Sequence, residues 1–292
     1  MSASTTHPKV AVVTGASSGI GEATARALAA GGYRVALLAR RLDRITALAD
    51  ELGDGALAIQ ADVTDRAGLV AAAEQVRTEL GGADVLVNNA GVMLLGPFTS
   101  DQRDDYRQMI EVNLLGALTA TEVFLDQLKD GGGDIVNISS VAGRTARAGN
   151  GVYAATKWGI NGWSESLRQE LLPDVRVTLI EPGVVATELP THITHAETKQ
   201  GVQQLYDKAE VTADDIAEII AFVIGRPATS PSTKCWSARR DSSSDPPRRR
   251  PGPAHPAAGF ARGRRQRGGR GRTCQLQQRG TGAPSHTRTH GG

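Results

Sequence analysis

The chain has 292 residues, of which 40% are hydrophobic and only 2 are cysteines. This length is enough for one domain with a sizeable core, and so few cysteines exclude a small disulfide-bonded scaffold. No run of about 18 apolar residues occurs, so no transmembrane helix is expected. The polar start lacks the apolar segment of a secretion signal, so we expect a cytoplasmic location.

The charge of the chain is divided between two segments. Residues 227–292 contain 14 basic and 2 acidic residues, which leaves 19 basic against 29 acidic residues in 1–226 out of totals of 33 and 31. The last segment is rich in Gly and Pro, and Leu276 is its one residue of the Ile, Leu, Val and Met group. Such a segment cannot bury enough apolar surface to offset the entropy of ordering it. We therefore predict a folded domain at 9–226, with a disordered start at 1–8 and a disordered tail after the domain.

Two patterns of hydrophobic residues alternate along the domain, one typical of strands and one typical of helices. Short β-branched runs without polar alternation predict strands buried on both faces, at Val10–Thr14, Val35–Ala39, Ala56–Ala61, Val85–Asn88, Ile135–Ser139 and Val175–Glu181. Stretches with helical spacing follow them, at Gly21–Ala30, Ile45–Leu52, Gly68–Leu80, Tyr106–Leu128, Tyr153–Leu172 and Thr212–Ile224. This alternation predicts an α/β fold with a doubly wound parallel sheet of the Rossmann type, in a single domain. Right-handed crossovers then bring the carboxyl ends of the strands to one edge, where ligands bind.

A glycine-rich turn, TGASSGIG at 14–21, directly follows the first predicted strand and opens a helix. Gly15 permits the tight turn, Gly19 lets a pyrophosphate approach the backbone, and Gly21 allows the helix to pack closely on the strand. The unpaired amides at the start of a helix favour an anion. This context predicts a dinucleotide-binding site in preference to a purely structural turn.

The end of the second predicted strand distinguishes between the two nicotinamide dinucleotides. Sites for NAD usually place an acidic residue there, about 20 residues past the glycines, but this chain has Ala39 followed by Arg40 and Arg41. An arginine suits a 2′-phosphate, so NADP(H) is favoured over NAD(H). The alternative is that the two arginines form the solvated start of a helix.

Tyr153 and Lys157 are four residues apart on one predicted helix, so they share a face. A nearby ammonium favours the phenolate, so we expect Lys157 to lower the pKa of Tyr153 from about 10. The pair would then form a general acid/base without histidine or metal. A Tyr-x-x-x-Lys pair alone is a weak signal, and its value comes from Asn113 and the Ser139-Ser140 pair before it.

Seven motifs in order over residues 9–226 resemble the short-chain dehydrogenase/reductase family. They are TGASSGIG (14–21), Asp62-Val63, NNAG (88–91), Asn113, ISSVAG (138–143), YAATK (153–157) and Pro182-Gly183 with Thr187. The resemblance implies that Tyr153 exchanges a proton with the substrate oxygen and that Ser140, not Ser139, hydrogen-bonds that oxygen. It also implies that Lys157 lowers the pKa of Tyr153 and holds the nicotinamide ribose. Asn113 would kink its helix and hold a water of the proton relay.

The resemblance also implies a set of cofactor contacts. Asp62 and Val63 would contact adenine, Asn89 would line the cleft, and Thr187 would bind the carboxamide. Structural alternatives remain open: Asp62 or Asn89 as a turn residue, and Thr187 as a helix N-cap. The full implied set is Gly15, Ser17, Ser18, Gly19, Ile20, Gly21, Arg40, Arg41, Asp62, Val63, Asn89, Ala90, Tyr153, Lys157, Pro182, Gly183, Val185 and Thr187.

The implied reaction is hydride transfer between a nicotinamide and a small carbonyl or alcohol, in the direction of reduction with NADPH. Three segments are expected to shape the substrate site, 93–101, 141–152 and 188–208. Three stretches resemble the clavulanate-pathway aldehyde reductases and, more distantly, bacterial 3-hydroxy-acid dehydrogenases: MLLGP (93–97), TEL (187–189) and THITHAETK (191–199). This resemblance favours an aldehyde, ketone or hydroxy acid as substrate. His192 and His195 lack a third ligand, so we expect no metal there.

Family members end in a seventh strand, which we do not find in the sequence after Arg226, so the sheet is predicted to lack its last strand. We hypothesise a frameshift near residue 227, because another reading frame yields a strand-like string, and we expect a homotetramer only if that end is intact. Two alternative functions follow: nucleic-acid binding by the Arg/Gly-rich stretch at 263–272, or a truncated and catalytically impaired family member.

Overall fold

The computed structural model describes residues 8–226 and the backbone of residues 234–237. Within these residues, seven parallel strands form a central sheet in the order β3-β2-β1-β4-β5-β6-β9, and β7 pairs with β8 beside it. The strands are β1 (Val10–Thr14), β2 (Arg34–Ala39), β3 (Ala56–Gln60), β4 (Val85–Asn88), β5 (Asp134–Ile138), β6 (Arg176–Pro182), β7 (Val185–Ala186), β8 (Val211–Thr212) and β9 (Lys234–Ser237). The strand order reverses between β1 and β4, which is where ligands bind in open sheets of this kind.

Helices cover both faces of the sheet, as the unbroken apolar strands predict. They are α1 (Gly19–Ala30), α2 (Leu42–Leu52), α3 (Arg66–Leu80), α4 (Arg103–Ile110), α5 (Gly116–Lys129), α6 (Gly151–Leu171), α7 (Ala196–Tyr206) and α8 (Ala213–Ile224). One core packs between the sheet and α3, α5 and α6, and the other between the sheet and α1, α2 and α8. The predicted doubly wound α/β fold is confirmed. No helix of the described residues is long and apolar enough to cross a bilayer.

The prediction that the sheet lacks its last strand is wrong. Residues Lys234–Ser237 form β9, which pairs in parallel with Leu179–Pro182 of β6. The expectation rested on the missing apolar side chains, but a ladder forms through backbone N–H and C=O groups that nearly every residue offers. These four residues therefore also correct the prediction of a tail that is disordered throughout. The remaining predictions for 1–7, 227–233 and 238–292 lie outside the described residues.

An ion pair between Asp134 and Arg176 lies buried at the amino ends of β5 and β6. The Arg176 guanidinium donates to both Asp134 oxygens, with Nη2 at 3.1 Å from Oδ2, and both side chains are under 10% exposed. The same guanidinium donates to the carbonyls of Ile224 and Arg226 at 3.1 Å, which satisfies carbonyls at the end of α8. The pair therefore ties α8 to the strands at the edge that lies opposite the carboxyl ends.

We expect Arg176→Met to lower the free energy of unfolding by about 3–5 kcal/mol, because it leaves the Asp134 carboxylate buried without its cation. Urea unfolding at neutral pH measures the loss. Arg66→Met is the matched control, since it removes an arginine from the exposed ion pair with Glu122, and its loss should be much smaller. Equal losses in the two variants would contradict this account of the buried pair.

Candidate functional site

A cavity of about 970 Å³ opens at the carboxyl ends of the strands. Its walls come from the turn after β1, the ends of β2, β4, β5 and β6, the start of α6 and one side of α7. Because parallel strands bring their carboxyl ends to one edge, motifs far apart in the chain meet here. The prediction that the site lies at this edge is therefore consistent with the position of this cavity.

The glycine-rich turn lies against the end of β4. Gly15 has φ +66° and Gly19 has φ +56°, which side chains rarely adopt. A Cβ on Gly15 would lie 2.8 Å from the Ala90 Cα, and one on Gly21 would lie 2.3 Å from the Gly15 carbonyl oxygen. The turn thus needs glycine both for its backbone conformation and for its close approach to the neighbouring strand.

Hydrogen bonds lock this turn to the end of β4. The Thr14 hydroxyl accepts from the backbone N–H groups of Asn89 and Ala90 at 3.0 and 3.1 Å. The Asn89 side-chain amide donates to the carbonyls of Thr14 and Gly15 at 3.0 and 3.2 Å. Asn89 therefore holds the glycine-rich turn against the end of β4, and it also lines the cavity.

Arg40 and Arg41 both line the cavity beside the turn, but their partners differ. Arg41 donates to the Ser17 hydroxyl at 2.9 Å and to the Ser18 hydroxyl at 2.8 Å, and it forms an ion pair of 3.4 Å with Glu188. The Arg40 guanidinium has no hydrogen bond or ion pair within the described part of the chain. This corner of the cavity therefore presents one cation that has no partner among the described residues and one that is already partly neutralised.

Tyr153 and Lys157 lie on the first turns of α6, both buried, and both line the cavity together with Ser140. The Lys157 ammonium donates to the Ile138 carbonyl at 2.9 Å and lies 5.8 Å from the centre of the Tyr153 ring. The Ser140 hydroxyl accepts from the Ala142 N–H at 3.1 Å, whereas the Ser139 hydroxyl donates to Asn161 at 2.6 Å. The structure therefore brings together the three side chains that the motifs singled out.

The expectation that Lys157 lowers the pKa of Tyr153 is not met in this structure. Burial raises the pKa of Tyr153 to about 12, and a hydrogen bond with Ser140 only partly opposes that rise. Burial also lowers the pKa of Lys157 to about 8. The physical reason is that loss of water penalises both charged forms. The spacing in the sequence carries no information about this desolvation.

Asn113 lies behind the cavity wall, in a five-residue π-helical segment, Glu111–Leu115, that interrupts the helix between α4 and α5. Its side-chain oxygen accepts from the Val92 N–H at 2.7 Å, and its amide donates to the Val92 carbonyl at 2.8 Å and to the Thr156 hydroxyl at 3.3 Å. The helix is thus interrupted at Asn113, and the buried carboxamide bonds to the backbone of Val92 and to Thr156.

The other motif residues also meet at the cavity. Asp62 accepts from the backbone and hydroxyl of Thr64 at 2.9 and 2.8 Å, and Thr187 accepts from the Leu189 N–H at 3.4 Å, so both have local structural functions too. Of the predicted site residues, all line the cavity except Gly21 and Asn113, which support it from behind. The lining set is Gly15, Ser17, Ser18, Gly19, Ile20, Arg40, Arg41, Asp62, Val63, Asn89, Ala90, Ser140, Tyr153, Lys157, Pro182, Gly183, Val185 and Thr187.

Two lining residues lie in the expected substrate segments but were not singled out there. Tyr206 on α7 contacts the Met93 sulfur with its hydroxyl at 3.7 Å, and burial raises its pKa. The apolar spacing of Val202, Leu205 and Tyr206 could have predicted α7. Arg147 at the mouth of the cavity carries no such periodic signal.

The two histidines have separate positions. His192 lines the cavity, and the His195 ring nitrogen Nδ1 accepts from the Thr198 N–H at 3.3 Å, which caps the start of α7. A capping histidine supplies an acceptor to an otherwise unpaired helix amide. His195 thereby has a structural function at the start of the helix that closes one side of the cavity.

Comparison with known proteins identifies the family. The short chain dehydrogenase family matches residues 9–198. An uncharacterized oxidoreductase of Staphylococcus saprophyticus is 38% identical over 227 residues, which cover 76% of this chain and 92% of that protein. An uncharacterized oxidoreductase of Mycobacterium tuberculosis is 43% identical over 226 residues, which cover 76% of this chain and 88% of that protein.

Solved structures give the same assignment. A closed form of serine dehydrogenase complexed with NADP+ is 33% identical with a TM-score of 0.73, over 78% of this chain and 94% of that one. An alcohol dehydrogenase of Thermococcus sibiricus complexed with 5-hydroxy-NADP is 32% identical with a TM-score of 0.71, over 79% and 96%. A short chain dehydrogenase/reductase of Burkholderia phymatum in complex with NAD is 26% identical with a TM-score of 0.70, over 75% and 86%.

The fold and its site thus define an oxidoreductase with a Rossmann-like sheet. The chain belongs to the short-chain dehydrogenase/reductase family.

The buried ammonium of Lys157 gives a pH-dependent stability. The pKa of Lys157 is about 8 in the folded protein and about 10.4 in an unfolded chain. Below pH 8 the folded protein therefore buries a charged ammonium, and the full free-energy cost of that burial lowers its stability. As pH rises from 8 to 10, only the unfolded state retains the proton, and the folded state gains relative stability. We therefore expect Lys157→Met to be more stable relative to wild type at pH 7 than at pH 10, by up to about 3 kcal/mol.

Urea unfolding of both proteins at the two pH values measures this difference. Lys199→Met is the control, because Lys199 is exposed and its ammonium donates to the Thr191 carbonyl at the surface. The idea fails if the stability difference between Lys157→Met and wild type is the same at pH 7 and pH 10.

Proposed function

We propose that this protein is an NADP(H)-dependent oxidoreductase that reduces small aldehydes or ketones to alcohols, or catalyses the reverse reaction. The observation that carries the proposal is that Ser140, Tyr153 and Lys157 line the same cavity as the glycine-rich turn. One side of the cavity thus suits the phosphates of a dinucleotide, and the other carries groups that can bind and protonate a carbonyl oxygen.

The residues present fit a dinucleotide. The absent side chains of Gly15 and Gly19 leave the turn open where a Cβ would be strained, and α1 starts at Gly19 with unpaired amides that suit an anion. We propose that Ser17, Ser18 and Ile20 complete this phosphate contact.

The rest of the cofactor would contact other lining residues. We propose that Asp62 and Val63 contact the adenine, and that Lys157 and Thr187 contact the nicotinamide end. The remaining cofactor contacts are proposed for Asn89, Ala90, Pro182, Gly183 and Val185. When bound, the cofactor supplies the hydride.

The proton chemistry is assigned to Tyr153. With a pKa of about 12, its phenol is protonated at neutral pH and can donate to the carbonyl oxygen of the substrate. Ser140 is proposed to hold that oxygen. Lys157 is charged below pH 8 and would stabilise the phenolate that remains. The proposed role of Asn113 is to hold a water of the proton relay, and its bonds to Val92 fix the carboxamide.

The substrate end of the cavity favours a small molecule with a polar group. Its walls are mainly apolar, with Met93, Leu95 and Val202 among them, while Arg147 and His192 lie at the mouth. Apolar walls with a few polar groups are typical of small-molecule sites. This composition supports the proposed aldehyde, ketone or hydroxy-acid substrates. The likeness to clavulanate-pathway aldehyde reductases and 3-hydroxy-acid dehydrogenases stays a prediction.

Other expectations remain predictions. Cytoplasmic location and homotetrameric assembly are among them. The nucleic-acid function and the impaired truncated form depend on residues that lie mostly outside the described ones, and the matches to oxidoreductases give them no support.

The preference for NADP(H) can be tested at Arg40. Because its guanidinium has no partner in the described residues, we expect it to bind the 2′-phosphate, and Arg40→Asp should weaken NADPH binding by about tenfold or more. NADH, which lacks that phosphate, should bind at least as well as to wild type. Dissociation constants from nucleotide fluorescence measure both, and Arg77→Asp, on the exposed side of α3, is the control. An unchanged ratio of the two constants would remove Arg40 as the phosphate ligand.

The proton-donor assignment can be tested with the two tyrosines of the cavity. Tyr153→Phe should lower kcat/KM for carbonyl reduction by about 10²–10⁴-fold while NADPH still binds, because only the proton donor is lost. Tyr206→Phe is the matched control, since it removes a phenol from the same cavity, and it should retain most activity. A panel of aldehydes, ketones and 3-oxo acids with NADPH supplies the assay. If Tyr153→Phe keeps its rate, the proposed mechanism is wrong.

A further inference from the structure

Glu181 is a fully buried carboxylate beside the site, with 0% of its surface exposed. It is the second-last residue of β6 and immediately precedes Pro182 and Gly183, which line the cavity, although Glu181 itself does not. A buried charge is costly unless it is paired and hydrogen-bonded. The function of this buried carboxylate is therefore inferred from the side chains that pair with it.

Two side chains hold the Glu181 carboxylate. The Arg144 Nε lies 2.8 Å from one carboxylate oxygen and 2.9 Å from the other, and its Nη2 donates as well. The Asn161 side-chain amide donates to Oε1 at 2.8 Å. Such charge-assisted contacts to both oxygens are directional and strong. We call Arg144, Asn161 and Glu181 the buried clamp.

The buried clamp joins three elements that carry the proposed chemistry. Arg144 ends the short 3-10 turn that starts after Ser140, so it belongs to the loop of residues 139–145, here called the Ser140 loop. Asn161 lies one turn after Lys157 on α6, and its amide also donates to the Gly143 carbonyl at 3.0 Å. Its oxygen accepts from the Ser139 hydroxyl at 2.6 Å. Glu181 on β6 thus holds both ends of the Ser140 loop against α6.

The Ser140 loop packs tightly against α6 at Gly143. A Cβ on Gly143 would lie 2.7 Å from the Asn161 amide nitrogen and 3.0 Å from the Lys157 carbonyl oxygen. The Arg144 side chain is half exposed, and its hydrogen-bonding partner in the described residues is Glu181. Without the carboxylate, the guanidinium would turn to water, and the Arg144 end of the loop would lose its side-chain tie to β6. The other end would keep the backbone bond from the Ser139 N–H to the Ile180 carbonyl at 2.7 Å.

We propose that Glu181 is a positioning residue that acts through Arg144 and Asn161 to fix the Ser140 hydroxyl relative to Tyr153 and Lys157. The inference rests on the proposed function, since it assigns Glu181 to the carbonyl-binding side of that site. No member of the buried clamp lines the cavity, so the effect passes through the loop and not through contact with a ligand. A small misplacement of a substrate-binding group can cost much of the rate.

The central test compares Glu181→Gln with Asp134→Asn in the full chain. Both variants neutralise a buried carboxylate paired with an arginine, but Asp134 lies at the opposite end of the strands, away from the cavity. Glu181→Gln should lower kcat/KM for carbonyl reduction by about tenfold to a hundredfold with the NADPH dissociation constant unchanged. Asp134→Asn should lower the stability and leave kcat/KM of the folded protein unchanged.

Hydrogen exchange gives a readout that does not depend on turnover. The amides of Gly143, Arg144 and Thr145 are bonded to carbonyls within the Ser140 loop. Glu181→Gln should speed the exchange of a peptide covering 140–145, whereas Asp134→Asn should leave that peptide unchanged. If Glu181→Gln does not fold, Arg144→Lys keeps the charge but loses the two-oxygen contact, and it should change the exchange and the rate in the same direction.

A double-mutant cycle identifies the group through which Glu181 acts. In a Ser140→Ala background, Glu181→Gln should cost much less in kcat/KM than in wild type, because the hydroxyl it positions is already gone. Equal costs in both backgrounds, or the same rate and exchange in Glu181→Gln as in Asp134→Asn, would overturn the inference. If wild type turns over no carbonyl at all, the proposed function fails, while the exchange of the loop still decides whether the buried clamp holds it.

Discussion

The site depends on how closely the turn after β1 approaches the end of β4. No side chain fits at Gly21, because a Cβ there would lie 2.3 Å from the Gly15 carbonyl and 2.4 Å from the Asn89 amide. This contact sets the position of α1 at the point where the strand order reverses. The same approach lets Thr14 and Asn89 satisfy the backbone groups that the turn leaves unpaired. That packing constraint therefore holds the start of α1, with Gly19 and Ile20, in the lining of the cavity.

The opposite wall of the cavity is governed by desolvation. Tyr153 and Lys157 are both buried, and each is shifted toward its neutral form. The phenol is consequently a proton donor at neutral pH, and the ammonium is the group that titrates near pH 8. The Lys157 side chain favours the Tyr153 phenolate when it is a charged ammonium, but not when it is a neutral amine. Burial thus moves the pKa values of the proposed proton donor and of its neighbouring cation in opposite directions.

Buried ion pairs anchor the sheet at both of its ends. At the amino ends of the strands, Asp134 and Arg176 bind the last turn of α8, and at the carboxyl ends Glu181 and Arg144 hold the loop that carries Ser140. In each case the pair joins an element to β5 or β6 where apolar contact alone would let it slide. Directional contacts between charged groups fix geometry more narrowly than hydrophobic packing does. This difference gives a physical reason for burying the carboxylates of Asp134 and Glu181 at the two ends of the strands.

The sequence by itself determined six of the nine described strands, the glycine-rich turn and the motif residues of the cavity wall, because strands follow local periodicity and the turn depends on which residues tolerate its backbone. It did not single out α7, β7 and β8, or Tyr206 and Arg147 on the cavity wall. It did not determine the pKa of Tyr153, which depends on how much water the packed structure excludes. Nor did it reveal β9, since pairing with β6 uses backbone groups and the segment has no apolar pattern. The partners of Glu181 are 20 and 37 positions away along the chain, so only the tertiary structure could bring them together.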